Sequence, residues 1–264
     1  MFAQPKISFI TVVYNSESFL EDTLKSVINQ TYTNKEIIII DGGSNDGTMD
    51  IIKKFTSNID FWISEPDKGL YDAMNKGLVA ATGDYVTFIN SGDAYCDIYV
   101  IDKLFDEQTN ADIIYGDINV IDPKNGGLRY QKALEFNLPT LLDRGTGVVC
   151  HQAIFVKRLI APFYNIKLKY KAELNWYFDI VESKTHISTV HKAVAVVNYS
   201  LGGFGYKNFW KNQFEWFVLI IKRFGLRVFF QYKYPQKISQ RFQYRYPELS
   251  HKLKRFKNKL HFNF

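Results

Sequence analysis

The 264-residue chain holds only two cysteines, Cys96 and Cys150, too few for a disulfide framework, and no Cys/His cluster has zinc spacing. A reducing, cytosolic setting is the expectation. Long apolar runs are missing as well: nothing approaches the ~20 residues that span a bilayer, and the longest run near the far end is Phe217 to Ile221. The opening stretch, MFAQPKISFITVVYNS, has one lysine and no small-residue cleavage site, so it is expected to be a first strand rather than an export signal. There are no internal repeats or low-complexity segments, and no linker is evident before about residue 205.

Acidic residues are scarce in one region only. Residues 207–264 carry 14 Lys+Arg against 2 Asp+Glu, a net +12, and 16 of the 43 aromatics. Residues 1–206 carry 19 against 25, a net −6, so the overall +6 belongs to the tail. The whole is of globular composition, 46% hydrophobic and 23% charged, enough for a sizeable core in one large domain with an appendage.

Strand and helix patterns alternate from the start. Lys6 to Val13 reads as a strand and Glu17 to Asn29 as a helix, with Leu20, Leu24, Val27 and Ile28 on one face. Glu36 to Ile40 is a β-branched run closed by Asp41-Gly42-Gly43-Ser44, and a helix follows through Met49, Ile52 and Phe55. Ile59 to Ile63, Gly69 to Ala80 and Tyr85 to Ile89 continue as strand, helix, strand. This alternation predicts an α/β fold with a doubly wound, mostly parallel sheet covered on both faces. Farther on, the pattern predicts a helix over 98–105, a strand over 112–115, a hairpin turn at 123–127 with a return over 128–133, and a loop-rich 134–150. A strand over 153–156, a helix over 174–181 and one or two strands over 186–199 follow.

The fourth strand runs into Asn90-Ser91-Gly92-Asp93. Ligands of open α/β sheets collect beyond the carboxyl ends of strands, so Asp93, one glycine past a core strand, is the leading candidate for a metal ligand. Taken alone, these residues also make a good turn.

Four stretches together carry a resemblance: ITVVYNSESFLEDTLKSVINQTY at 10–32, EIIIIDGGSNDGT at 36–48, SEPDKGLYDAMNKGLVAATGDYVTFINSGD at 64–93 and VVCHQAIFV at 148–156. In that order and spacing the body resembles the family-2 glycosyltransferases, inverting enzymes of the GT-A type, and those of bacterial surface-polysaccharide synthesis in particular. The resemblance implies a Rossmann-like GT-A domain over 1–206, with a nucleotide-sugar half at about 1–95 and an acceptor half at about 96–206. It also implies transfer of a hexosyl or N-acetylhexosaminyl group from a nucleotide-sugar, foremost a UDP-sugar, to a glycan acceptor, expected to be lipid-linked, in O-antigen or capsule synthesis.

Residue roles follow from the same likeness. Thr11, Val13 and Tyr14 line the base pocket, Asp41 contacts base or ribose, Asp67 completes the base side, and Lys68 assists the phosphates, as does the start of the helix at Gly69. The family's Asp-x-Asp-like metal motif falls on Asn90-Ser91-Gly92-Asp93; its first acid is absent here, which leaves Asp93 as the ligand of Mg²⁺ or Mn²⁺, with Ser91 a helper. An inverting transfer needs a base for the acceptor hydroxyl. The matching position is Glu173, where relatives more often carry Asp, and Asp179 is the fallback. His151 and Gln152 match the acceptor-side motif, His191 is expected to be structural, and Leu201-Gly202-Gly203-Phe204 resembles a closing loop.

The tail, 207–264, is predicted to form basic, aromatic helices. Trp210, Phe214, Phe217 and Ile221 recur at helical spacing, as do Leu253, Phe256 and Leu260 among Lys252, Lys254, Arg255, Lys257 and Lys259. Such helices suit an anionic membrane surface, placing the protein on the inner face of the cell membrane; the alternative is packing on the body. A nucleic-acid partner would want basic surface on the body too, and the body is net −6. A donor-binding protein without turnover is the remaining alternative.

Overall fold

The computed structural model describes residues 4–106, 109–122, 126–200 and 208–232, with the side chain of Phe209 excepted. The chain divides into two compact units between Phe209 and Trp210. Among the described residues, no helix is long and apolar enough to cross a membrane.

The first unit begins with β1 (Ile7–Val13), α1 (Leu20–Ile28), β2 (Lys35–Asp41), α2 (Thr48–Lys54), β3 (Phe61–Ser64), α3 (Leu70–Ala80) and β4 (Tyr85–Phe88). The four strands pair in parallel in the order β3-β2-β1-β4, as the alternating pattern predicts. β1 is buried along its whole length and β2 over all but its first residue, which is why they read as near-continuous apolar runs. α3 is drawn tightly onto β1 by Gly77, where an added Cβ would stand 2.4 Å from Ile10 Cγ2. Edge strand β3 is largely exposed on both faces, contrary to the expected full cover.

Beyond β4 come β5 (Ala94–Tyr95), α4 (Val100–Leu104), β6 (Ile113–Asp122), β7 (Gly127–Gln131), α5 (Leu138–Arg144), β8 (Ile154–Lys157), α6 (Ala172–Glu182) and β9 (Thr189–Ser200). Here the sheet is mixed: β8 lies antiparallel between β4 and β6, β6 pairs in parallel with β9, and β5 and β7 are antiparallel additions. The segment 134–150 is less loop-rich than its sequence reads, because Asn137 caps α5 by accepting from the Thr140 N–H, with a proline in the first turn.

The insertion of β8 matters for function. Tyr85 pairs with Lys157 and Val86 with Val156, so the antiparallel register carried onward brings Gln152 beside Asn90. β5 pairs Ala94 with Asn198 and so brings the end of β9 to Asp93 from the other side.

At the opposite end of the strands a buried carboxylate ties three of them together. Glu36 accepts from Lys6 Nζ (2.6 Å), Ser8 Oγ (2.5 Å), Thr82 Oγ1 (2.6 Å) and the N–H groups of Thr82 and Gly83. Burial works to raise its pKa, but the hydrogen bonds from Lys6, Ser8 and Thr82 outweigh it and hold the group at about 2, against an ordinary 4.5. A depressed folded pKa gives stability that is fully present above the unfolded value and is lost as pH falls through the folded one. Glu36→Ala is therefore expected to cost about 3 kcal/mol at pH 7, less as pH drops from 4.5 toward 2, as urea unfolding at a series of pH values will read.

All but the first residue of α7 (Phe209–Tyr232) belongs to the second unit, and the helix path breaks at Gly225 with φ 83°. Trp216 and Phe217 both meet Phe229, at ring-centroid distances of 5.6 and 4.8 Å. Twelve residues of straight helix would separate such rings by about 18 Å, so the glycine folds the helix back on itself. Trp210 and Phe214 are exposed. The predicted helix over 253–260 and the loop 201–204 lie outside the described residues.

Candidate active site

The ends of β1, β2 and β3 are level, Val13 pairing with Asp41 and Asp41 with Ser64. Above them opens a pocket of about 590 Å³ lined by Val12, Val13, Tyr14, Gly42, Gly43, Pro66, Asp67 and the first turn of α3. Its loops are tied together: the Asn15 N–H donates to Ser44 Oγ, the Ser16 N–H to Thr48 Oγ1, and Glu17 accepts from the Gly47 N–H. Gly42 leaves room at the wall for Asp67, whose Oδ2 would stand 2.5 Å from a Cβ there and would have to move aside.

Of the donor-side residues read from sequence, Val13, Tyr14 and Asp67 line this pocket. Thr11 does not: it shares a face with Val13 but lies two residues deeper in β1, where it is buried, and Val12 and Val13 at the strand end make the floor instead. Asp41 is fully buried, and its carboxylate accepts from the Gly43 and Ser44 N–H groups (3.1 and 3.0 Å), from Ser64 Oγ (2.6 Å) and from Ser44 Oγ. It thus shapes the Gly42-Gly43 wall from beneath. Lys68 is exposed outside the pocket lining, and its N–H donates to Asp72. The start of α3 already has carboxylates at hand, Asp67 accepting from the Gly69 N–H at 2.7 Å and Asp72 from Lys68.

Asp93 sits at the end of β4, 7% exposed. Its Oδ2 accepts from Gln152 Nε2 at 2.9 Å and its Oδ1 from the Ser200 N–H at 3.3 Å, the two neighbours delivered by β8 and β9. Gln152 Oε1 in turn accepts from Cys150 Sγ at 2.9 Å. Thr23 Oγ1 fixes the turn from below, donating to the Asp93 carbonyl and accepting from the Gly92 N–H. Burial raises the Asp93 carboxyl to about 6, against the lowering effect of its two donors. Gln152, expected on the acceptor surface, is instead buried as the residue that orients Asp93.

Glu173 lies in the first turn of α6, partly exposed, and among the described residues its carboxylate has no hydrogen bond or ion pair. Its charge, together with that of Asp93, bears on Cys150 and Tyr199, whose ionisation burial already pushes up, that of Tyr199 to about 12. Cys150 and Tyr199 are thus within electrostatic reach of both carboxylates. Asp179 does not share the helix face of Glu173: six residues on, it stands about 120° around the helix and accepts from Asn175 Nδ2 at 2.7 Å.

His151 is buried where an acceptor contact was expected. It stacks on Phe88 (5.1 Å), meets Trp176 edge-on, and shares a 2.6 Å hydrogen bond with Tyr164. Burial holds its pKa below the ordinary value, so a neutral ring props the aromatic cluster beneath Glu173. His191 pairs with the buried Asp117 at 2.7 Å, in keeping with a structural role.

Among the described residues no group of three or more His, Cys, Asp or Glu could cage a metal. What the turn does offer beside Asp93 is two buried oxygens without hydrogen-bond partners, Asn90 Oδ1 and Ser91 Oγ. A set of one carboxylate and neutral oxygens fits a hard divalent cation that draws its remaining ligands from phosphate and water.

The family model described as "Glycosyl transferase family 2" matches residues 8–165, more than half of the chain and all of the elements that build the pocket and the Asp93 turn. The chain belongs to glycosyl transferase family 2. Over 209 residues this glycosyltransferase is 32% identical to the PGL/p-HBAD biosynthesis glycosyltransferase of Mycobacterium bovis, covering 75% of this chain and 78% of that one. Among solved structures it is similar to S. aureus TarS 1-349 in complex with UDP (TM-score 0.58, 17% identity, 82% of this chain and 65% of that one). The mannosyltransferase PcManGT from Pyrobaculum calidifontis, solved with GDP-Man and Mn2+, is similar too (TM-score 0.56, 14% identity, 80% of this chain and 61% of that one). The glycosyltransferase thus spans under two thirds of the length of these two structures. Their likeness is one of fold, GT-A, which agrees with the fold expected from sequence.

Proposed function

We propose that this glycosyltransferase moves a sugar, with inversion, from a nucleotide-sugar to a lipid-linked glycan acceptor in bacterial surface-polysaccharide synthesis. The observation that carries the reading is Asp93, buried in its Gln152 and Ser200 cradle on the turn beyond β4, in a sheet whose neighbouring strand ends β1 to β3 carry the pocket. The nucleoside of a UDP-sugar sits against Val12, Val13 and Tyr14, with Asp67 toward its polar edge and Asp41 holding the wall. The pyrophosphate then lies toward the Asn90–Asp93 turn. Asp93, with Ser91 and Asn90 as neutral oxygens, would hold Mg²⁺ or Mn²⁺, which when bound would neutralise charge on the departing nucleoside diphosphate. Glu173 accepts the proton of the acceptor hydroxyl as its oxygen attacks the anomeric carbon on the face opposite the leaving group. The basic aromatic tail brings the enzyme to the cytoplasmic face of an anionic membrane, where the acceptor is anchored.

Screening UDP-, GDP- and dTDP-sugars for Mn²⁺-dependent release of the nucleoside diphosphate tests the donor class. Release from a UDP-sugar foremost is expected, and no turnover of any nucleotide-sugar would overturn the reading. Within the pocket, Gly42→Ala should push Asp67 from its place and weaken nucleotide binding about tenfold without loss of fold, as calorimetry and thermal unfolding will show. Unchanged affinity would put the nucleoside elsewhere.

A further inference from the structure

The connection from β8 to α6 has no long regular element, yet it is held firmly. Trp176 Nε1 donates to the Pro162 carbonyl at 2.6 Å. The Asn75 amide grips both backbone groups of Tyr164, at 2.7 and 2.9 Å. The Tyr164 ring stacks against Tyr71 and Trp176, at centroid distances of 5.6 and 5.1 Å, and its hydroxyl meets His151. The backbone is thus fixed on both sides of Phe163.

That clamp gives meaning to what the loop exposes. Phe163 is 62% exposed and Ile166 48%, and Leu159, at 91%, is the most exposed large apolar side chain among the described residues. With its neighbours pinned, Phe163 cannot turn inward to recover the burial a free loop would find. The charge that this segment itself carries is of one sign. Residues 157–171 hold five Lys+Arg and no Asp or Glu, within a body that is net −6. Lys157 faces Asp112 and Arg158 bonds the Gly83 carbonyl, while Lys167 is exposed. Apolar side chains rimmed by cations with no acid among them complement a bilayer with anionic headgroups, where rings enter the interface and lysines remain at the phosphates. The loop also borders the acceptor side, since Tyr164 feels the charge of Glu173 and α6 starts at Ala172.

We infer that residues 158–169 are a membrane contact in the catalytic body itself, separate from the tail. Phe163, Ile166 and Leu159 enter the interface of an anionic bilayer, so that the Glu173 side of the site meets acceptors anchored there. The inference rests on the reading of the enzyme as one that works at a membrane, and it does not depend on the tail.

Flotation of the full chain with vesicles of equal parts phosphatidylglycerol and phosphatidylcholine tests it in two backgrounds. One is the natural chain; the other has Lys252, Lys254, Arg255, Lys257 and Lys259 replaced by Gln. The triple variant Leu159→Ser, Phe163→Ser, Ile166→Ser alters only exposed side chains, and its nucleotide affinity should be unchanged. In the natural chain it should lower the vesicle-bound to free ratio about tenfold, and in the tail-neutralised chain it should abolish flotation. Equal flotation with and without the loop substitutions in both backgrounds would overturn the inference while leaving the tail reading standing. Loss through the loop but not through the tail changes would leave the loop standing alone. No flotation of the natural chain would overturn both. Unchanged flotation, with sedimentation showing that the triple variant dissociates a dimer, would make this surface an interface between copies of the chain and overturn the membrane contact.

Discussion

Asp93→Asn is expected to lower sugar transfer by roughly 10³-fold in saturating Mn²⁺ while leaving thermal unfolding nearly unchanged. The size follows from what the carboxylate does. It is the single acid of the Asn90–Asp93 turn, and in the proposed reaction it carries the cation that meets the leaving diphosphate. The small effect on stability follows from its burial: an amide of the same shape removes a desolvated charge and keeps an oxygen for Gln152 Nε2 or the Ser200 N–H. Initial rates with a donor found by the screen, at several Mn²⁺ concentrations, read both the loss and its metal dependence. A loss under tenfold would take the cation away from Asp93.

Glu173→Gln should lower the transfer rate by roughly 10²-fold or more, with donor affinity retained, because in the proposed reaction it acts only on the acceptor proton. The structure sharpens the comparison with Asp179→Asn. Asp179 stands around the helix from Glu173 and is engaged by Asn175, so its amide should transfer at close to the natural rate. Single-turnover rates with donor prebound separate the chemical step from binding. The reverse pattern, loss at Asp179 and little at Glu173, would move the base to another face of α6.

Much of this could be read from the chain. The strand-helix alternation of 6–89 and the polar residues that close each strand depend on local pattern, and the model bears out the parallel order and the common level of the strand ends. What was not legible depends on pairing at a distance. No local signal says that β8 inserts antiparallel beside β4, and that insertion alone turns Gln152 from a presumed acceptor contact into the partner of Asp93. His151 followed the same logic, its place decided by the aromatic side chains of Phe88, Tyr164 and Trp176 from three separate segments. Thr11 carries the right face of β1 but lies two residues short of the strand end, and how deep the pocket reaches is not a local signal. The start of α5 is written locally in Asn137, Pro139 and Thr140, a cap within a segment whose other residues read as loop. Gly225, inside an otherwise helical pattern, was likewise the one sign that the tail helix folds back.

The most direct test is calorimetric titration of UDP into the natural enzyme, Asp93→Asn and Glu173→Gln, each with and without Mn²⁺. Binding that Mn²⁺ strengthens in the natural enzyme and in Glu173→Gln, with the metal-dependent part lost in Asp93→Asn, is the expected result. Binding of UDP that is the same in all three proteins whether or not Mn²⁺ is present would contradict a cation-assisted transfer organised by Asp93.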